Sequence, residues 1–266
     1  MRKFIVSFIF TLFATLSFAA DQIPPKPFDS CKAQIPYGEP SVQKGNPVIC
    51  RSGYILEHDP IAKIPNWVAW TLTPEHAIGC VPRDDAFAAD ASLPADRRAT
   101  PSDYAGSGYD QGHLAPNADM SWDAAVAKES FYMSNMSPQL PALNRGTWKN
   151  LESAERAWVY QTKHAHTIYA GNIFSTTTKV IGPDKVFVPT DLYKIVTDNV
   201  TKKSYAYIMP NKTDIDADFN KYQVTIADVE KITGIIFPVP DNKNSKNTAI
   251  TADLKTIADD KKKLCK

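Results

Sequence analysis

Runs of aromatic and branched residues at 49–56 and 67–73 predict two strands early in the chain. Four more follow late, at 167–174, 185–188, 192–196 and 204–209, with modest alternation. Helical spacing separates the two groups. Within 145–164, Trp148, Leu151, Trp158 and Val159 recur on one face and mark the side that is buried. Glu152 and Arg156, four apart, lie on a different side, where their side chains can meet. Residues 122–131 predict a shorter helix. Residues 225–233 predict a late one, opened by Thr225 with Asp228 three positions on and closed by Gly234. The rest reads as loop. Residues 20–47 form an extended arm, and 137–144, with Pro138 and Pro141, a turn region. The stretch 82–109 is long for a structureless connection, which in a compact domain often marks function. From Asp241 the tail is polar and expected to be exposed. No internal repeat or clear linker interrupts this order. It predicts one α+β domain over 20–266 with a mostly antiparallel central sheet flanked by helices.

Composition changes that picture at the ends. Arg2 and Lys3 precede an apolar run from Phe4 to Phe18, and Ser17-Phe18-Ala19 offers the small residues a signal peptidase reads. Residues 1–19 are therefore expected to be a cleaved signal peptide, and the mature chain to be secreted or periplasmic, without a membrane anchor. The run is short for a membrane span of ~20 residues. Loss of Arg2 and Lys3 from the 30 basic residues leaves 28 against 29 acidic ones. A nucleic-acid partner would then be held by a local patch and a metal, not by a global field. Four cysteines in an exported chain suggest two disulfides. Three pairings of Cys31, Cys50, Cys80 and Cys265 are possible. The expected one is Cys31–Cys50 with Cys80–Cys265, the second tying the C-terminus to the body. Zinc is not expected, because no C-x-x-C spacing occurs.

The candidate chemistry sits in three segments. Asp110-Gln111-Gly112-His113 places an imidazole, able to take a proton from water, behind a glycine that lets the backbone approach a ligand closely. Asn135-Met136-Ser137-Pro138-Gln139 follows. The third segment is Leu143-Asn144-Arg145-Gly146-Thr147-Trp148-Lys149-Asn150-Leu151-Glu152, continuing to Arg156. Alone, His113 is an ordinary loop histidine, Asn144 a helix cap and Glu152 with Arg156 a surface ion pair. His164 and His166 could share a strand face as a metal pair; a helix end followed by a strand explains them as well. The tryptophans 67, 70, 148 and 158 read as core.

Taken together, these segments resemble the DNA/RNA non-specific endonuclease family of ββα-metal nucleases. The family's first motif is Asp-Arg-Gly-His. Its second region is Asn-x-x-Pro-Gln followed by Leu-Asn-x-Gly-x-Trp-x-x-Leu-Glu. Trp67-Val68-Ala69-Trp70-Thr71, Val188-Pro189-Thr190 with Lys194 shortly after, and the helix around Asp228 to Gly234 are also similar, so the resemblance spans about residues 45–238. It implies an endonuclease that hydrolyses phosphodiester bonds of both DNA and RNA and leaves 5′-phosphates. His113 would be the general base and Asn144 the one protein ligand of Mg2+, for which Mn2+ may substitute. Glu152 would orient water around the metal, and Arg156 would stabilise the added negative charge. Asp110 belongs to the catalytic motif. Asn135 and Arg83 would position or bind substrate. The departure is Gln111, where the family most often has arginine; glutamine donates a hydrogen bond without charge. Two other readings are a phosphodiesterase for small phosphate esters and a catalytically impaired nucleic-acid-binding relative.

Overall fold

The computed structural model describes residues 25–176, 179–248 and 251–266. The leader expected at residues 1–19 lies outside the described residues. The first predicted strand is two arms of a hairpin: β1 (Val48–Cys50) turns and returns antiparallel as β2 (Ile55–Asp59). β3 (Ile64–Leu72) pairs with β2. Along β3, Val68, Trp70 and Leu72 enter one core, while Trp67 and Ala69 enter another. That is the two-residue period of a strand covered on both faces. The long segment after β3 is mostly irregular, as predicted, with a 3-10 turn (Ala95–Arg97) and α1 (Pro101–Tyr104). A buried Arg51–Asp90 ion pair at 2.6 Å fastens it to the body, and Asp90 also accepts from the Ser92 and Ser134 hydroxyls.

β4 (Asp110–His113) follows, then α2 (Asn117–Met120), α3 (Ala124–Glu129) and β5 (Met136–Gln139). β4 and β5 form a two-stranded antiparallel ribbon with Gln111 opposite Pro138. The turn reading of 137–144 is therefore corrected: its first part is a strand. Proline removes a ladder donor, and a two-stranded ribbon tolerates this because each strand keeps an open edge. Residues Leu143–Trp148 make a wide helical turn before α4 (Lys149–Thr162). The second half adds β6 (His166–Ile173), a small hairpin of β7 (Val180–Ile181) and β8 (Val186–Phe187), β9 (Asp191–Asp198), β10 (Ser204–Pro210) and β11 (Gln223–Val224). It ends with α5 (Ile226–Thr233) and α6 (Leu254–Leu264). The central sheet runs β1-β2-β3-β6-β9-β10-β11, every neighbouring pair antiparallel. The α+β expectation holds.

Helix α4 covers one face. Its Leu151, Ala154, Trp158 and Val159 share a core with Val68, Trp70, Ile168 and Val196. α5 covers the other face through Ile226 and Val229, beside a 3-10 turn (Phe28–Gln34) in the N-terminal arm. The α5 cap is as expected: Thr225 Oγ1 accepts from the Asp228 amide at 3.1 Å, and Gly234 ends the helix at φ 71°. The tail from Asp241 is largely exposed but not irregular throughout, since α6 forms within it. Periodicity alone did not reveal that helix, because none of its residues is buried. The disulfides are Cys31–Cys50 and Cys80–Cys265, the expected pairing. Among the described residues no helix is long and apolar enough to cross a membrane.

Candidate active site

The ribbon of β4 and β5 and the start of α4 bring the three motif segments together. Gly112 sits in close contact: a Cβ there would lie 2.4 Å from Gln139 Cδ, so any side chain would have to displace the buried Gln139 side chain. At the end of β4, the His113 carbonyl accepts from Trp148 Nε1 at 3.2 Å, tying the ribbon to the start of α4. The chain beyond His113 is held by Asn135. Its Nδ2 donates to the carbonyls of Ala115 and Ser130, and its Oδ1 accepts from the Ala115 amide. Asn135 is fully buried, with its amide committed to backbone. It holds the backbone of the site in place, the positioning part of its expected role, and its committed amide leaves no face for direct substrate contact.

The His113 ring is 8% exposed. It stands edge-on to Phe131, centroids 5.0 Å apart, with Phe87 at 5.7 Å. Burial, and then the positive charge of Arg83, push its pKa down to about 3. The ring is therefore neutral at physiological pH, and its Nε2 has no partner among the described residues. A neutral imidazole at the wall of a cleft can accept a proton. Arg83 lies with its guanidinium 5.1 Å from the centre of the Phe131 ring and pairs with Asp85 at 2.7 Å.

Asn144 occupies the wide turn before α4. Its Nδ2 donates to Asp110 Oδ2 at 2.9 Å, which leaves Oδ1 as the available end of the amide. Asp110 also receives both Nε and Nη2 of Arg145, at 2.8 and 2.6 Å. Burial alone would raise the Asp110 carboxyl, but the hydrogen bonds from Arg145 and Asn144 outweigh it and hold the group below its ordinary range. Asp110 thus orients Asn144 from behind. One turn into α4, burial raises the Glu152 carboxyl against the pull of Lys194 and Arg156. Arg156 does not form the simple i,i+4 pair. Its Nη1 donates to the buried Asp119 at 2.9 Å, and Asp119 also accepts from Trp70 Nε1 at 3.0 Å.

These side chains line one cleft with two adjoining hollows of about 480 and 530 Å³. Arg83, Gln111, Asn144 and Arg145 border both, while His113, Glu152 and Arg156 border the first. The Gln111 Oε1 is buried without a partner. A third hollow of about 680 Å³ near Phe219 and Asn247 has no carboxylate or imidazole in its wall. His164 pairs with Asp198 at 2.9 Å, and the buried His166 begins β6. Among the described residues no three His, Cys, Asp or Glu side chains gather to hold an ion. Asp85 and Asp110 are paired with arginines and the Gln111 carbonyl is buried, so the oxygen donors the cleft offers are chiefly the Asn144 amide oxygen and the Glu152 carboxylate. That set fits a hard cation such as magnesium, which keeps several waters and takes few protein oxygens. The sequence reading missed two residues. Arg145 falls at a variable position of the motif, although a cation next to Asn144 is a usable signal. Asp119 had none, because nothing in its spacing links it to Arg156 37 positions on.

Residues 33–244 match the DNA/RNA non-specific endonuclease family. A nuclease of Nostoc sp. is 36% identical over 204 residues, 72% of this chain and 73% of its own. Mitochondrial endonuclease G of Homo sapiens is 33% identical over 202 residues, 70% of this chain and 68% of its own. Among solved structures, a chain of an EndoG/EndoGI complex superposes with a TM-score of 0.72 at 28% identity, covering 82% of this chain and 95% of that one.

Proposed function

The chain belongs to the DNA/RNA non-specific endonuclease family and is an endonuclease; on that premise we propose that it is an exported, divalent-metal-dependent enzyme that hydrolyses phosphodiester bonds of both DNA and RNA. The observation that carries this reading is the pairing of a neutral His113 with Asn144, whose amide oxygen Asp110 turns free, on the wall of the same cleft. Export rests on the apolar start of the sequence and on the two disulfides, which persist in oxidising compartments.

In this mechanism the His113 imidazole takes a proton from the water that attacks phosphorus. Phe131 and Phe87 keep the imidazole dry and fixed. Asn144 would be the one direct protein ligand of Mg2+, or of Mn2+ in its place, and Glu152 would orient water around the metal. When bound, the ion neutralises charge on the phosphate and on the departing 3′ oxygen. Arg156, fixed by Asp119, faces the added negative charge. Arg83 and Arg145 border both hollows and can track the phosphates on either side of the scissile bond. Several cations along an open cleft suit a polymer better than a small ester. Digestion of plasmid, linear DNA and RNA with magnesium tests the assignment. Activity confined to small phosphodiesters, or none at all, overturns it.

Two outcomes follow at the cleft. EDTA abolishes cleavage and magnesium restores it. Asn144→Ala raises the magnesium concentration for half-maximal rate by at least about tenfold, since even indirect metal supports cost about 10- to 100-fold. An unaltered magnesium titration would remove Asn144 from the metal. Gln111→Arg puts a charge where the glutamine carbonyl is now unpartnered. It raises kcat on plasmid by about 10- to 100-fold, the scale of one charge-assisted contact in a transition state. No change, or a loss, refutes that.

A further inference from the structure

The second hollow of the cleft, about 530 Å³, is of a size that takes a small organic group. The charged side chains in its wall are paired among themselves, Arg83 with Asp85 and Arg145 with Asp110. Their formal charges cancel. What the second hollow adds to the cleft is aromatic surface, from Phe87, Tyr104 and Tyr109. Two of these rings are committed elsewhere. Tyr104 is 4% exposed, and Phe87 packs edge-on to Phe131 with centroids 5.0 Å apart. Tyr109 is half-buried and, unlike Phe87, stacks on no other ring among the described residues. It also stands directly before Asp110, whose carboxylate orients Asn144.

The Tyr109 ring is held before any ligand arrives. Its backbone amide donates to Ser107 Oγ at 3.1 Å, and that hydroxyl donates to the Tyr104 carbonyl at 2.7 Å. Its own hydroxyl accepts from Lys179 Nζ at 3.3 Å. The ammonium is 4.9 Å from the ring centre, so it sits toward the hydroxyl end. The ring also packs against the small core that contains Ile64, Met136 and Val186. A ring fixed in this way loses little freedom when something stacks on it. A flat, weakly polar group gains most from such a surface. In a duplex each base already has both faces covered by its neighbours. An unpaired base has a face to offer, and stacking on an aromatic side chain is tolerant of which base it is.

We propose that the second hollow is a subsite for one unpaired nucleotide beside the scissile bond, in single-stranded DNA or RNA, and that its base stacks on Tyr109. This rests on the reading of the cleft as a phosphodiester site and deepens it. A single strand is held by a base as well as by its phosphates, whereas a duplex is held by its phosphates alone.

The test maps cleavage of a short, end-labelled single-stranded DNA that carries one abasic residue at its centre, in magnesium. The native enzyme cuts one bond beside that residue about 5- to 100-fold less than the same bond in the intact strand, the scale of one lost base–aromatic stack. The other bonds are cut as before. In Tyr109→Ala the two maps coincide, because no stack is left to lose. Bonds are compared within one strand, so a lower total activity of the variant does not blur the result. Tyr109→Phe keeps the ring and retains the native depression. On single-stranded circular DNA, Tyr109→Ala lowers kcat/KM by the same factor, mainly through KM, while linear duplex changes by less than about twofold. Tyr37→Ala, whose ring holds an equivalent place beside Lys202 outside the cleft, changes neither. A native map with no depressed bond, a depression that survives in Tyr109→Ala, or an equal loss on linear duplex overturns the proposal and leaves the nuclease reading intact. A parent enzyme that cuts no strand at all overturns both.

Discussion

His113→Ala lowers kcat for plasmid cleavage by about 10²- to 10⁴-fold, the contribution of a positioned general base, and moves the thermal transition by only a few degrees. Both halves follow from how the ring is held. The Nε2 makes no protein hydrogen bond, so truncation leaves no group unpaired there. The principal packing lost is the edge contact to Phe131 and the tilted one to Phe87. An aromatic pair of this kind contributes about 0.5–1.5 kcal/mol, and a chain of this size shifts by about 2–4 °C per kcal/mol. Supercoiled-plasmid kinetics beside a melting curve measure the two effects. Persistent cleavage at the native rate would mean that another group takes the proton. The same environment sets the pH profile. A base works in its neutral form, and burial with Arg83 lowers the folded pKa from 6.5 to about 3. The ring thus stays neutral as pH falls through 6.5, and the acidic limb of kcat/KM lies well below that value. Arg83→Ala removes the opposing charge and moves the limb upward. A native limb centred at 6.5 would show that the ring is not shielded.

Local rules made some of the molecule readable and left other parts dark. Trp148, Leu151, Trp158 and Val159 announced α4 because helical periodicity and burial coincide there. Trp67 and Trp70 announced β3, and both are buried in the sheet. The pairing of β4 with β5 was hidden for a different reason. Pro138 is a local turn signal, yet its partner Gln111 lies 27 positions earlier, and no window on the sequence contains both. Asn135 and Asp119 show the same limit inside the site. Each acts through a residue that is distant in sequence, one on the Ala115 backbone and the other on Arg156. What made His113, Asn144, Glu152 and Arg156 legible was motif order, while the cleft that they line appears only when the ribbon is folded against α4. Helix α6 escaped because its polar surface carries no hydrophobic pattern, and its attachments, the Tyr160–Asp260 hydrogen bond and the disulfide to Cys80, join residues far apart in sequence.

Lys194→Met destabilises the protein by about 3–5 kcal/mol, the cost of leaving one member of a buried ion pair alone, and its cause lies directly beneath the catalytic helix. Lys194 on β9 and Glu155 on α4 are both fully buried, with Nζ 3.3 Å from Oε2. The ammonium lies over the Trp148 ring at 4.4 Å and near Trp70 at 5.6 Å, so its charge is shared between a carboxylate and two aromatic faces. Burial pushes the Glu155 carboxyl up, and Lys194 is the largest pull in the other direction. Lys194 also holds down the Glu152 carboxyl. Methionine fills most of the lysine volume, so the loss is electrostatic rather than a cavity. The measurement is guanidinium unfolding with both disulfides intact. Glu155→Leu placed on top of Lys194→Met recovers most of the stability, because an apolar pair in place of a buried ion pair is often neutral or better. It does not recover all of the activity, since Glu152 still lacks its neighbouring cation. A loss below about 1 kcal/mol, against the cost expected for an orphaned buried charge, or no recovery in the double variant, would show that packing alone fixes α4 on the sheet. Stability rescued without activity would instead separate the two duties of Lys194: holding the helix in place, and keeping charge on the carboxylate that faces the cleft.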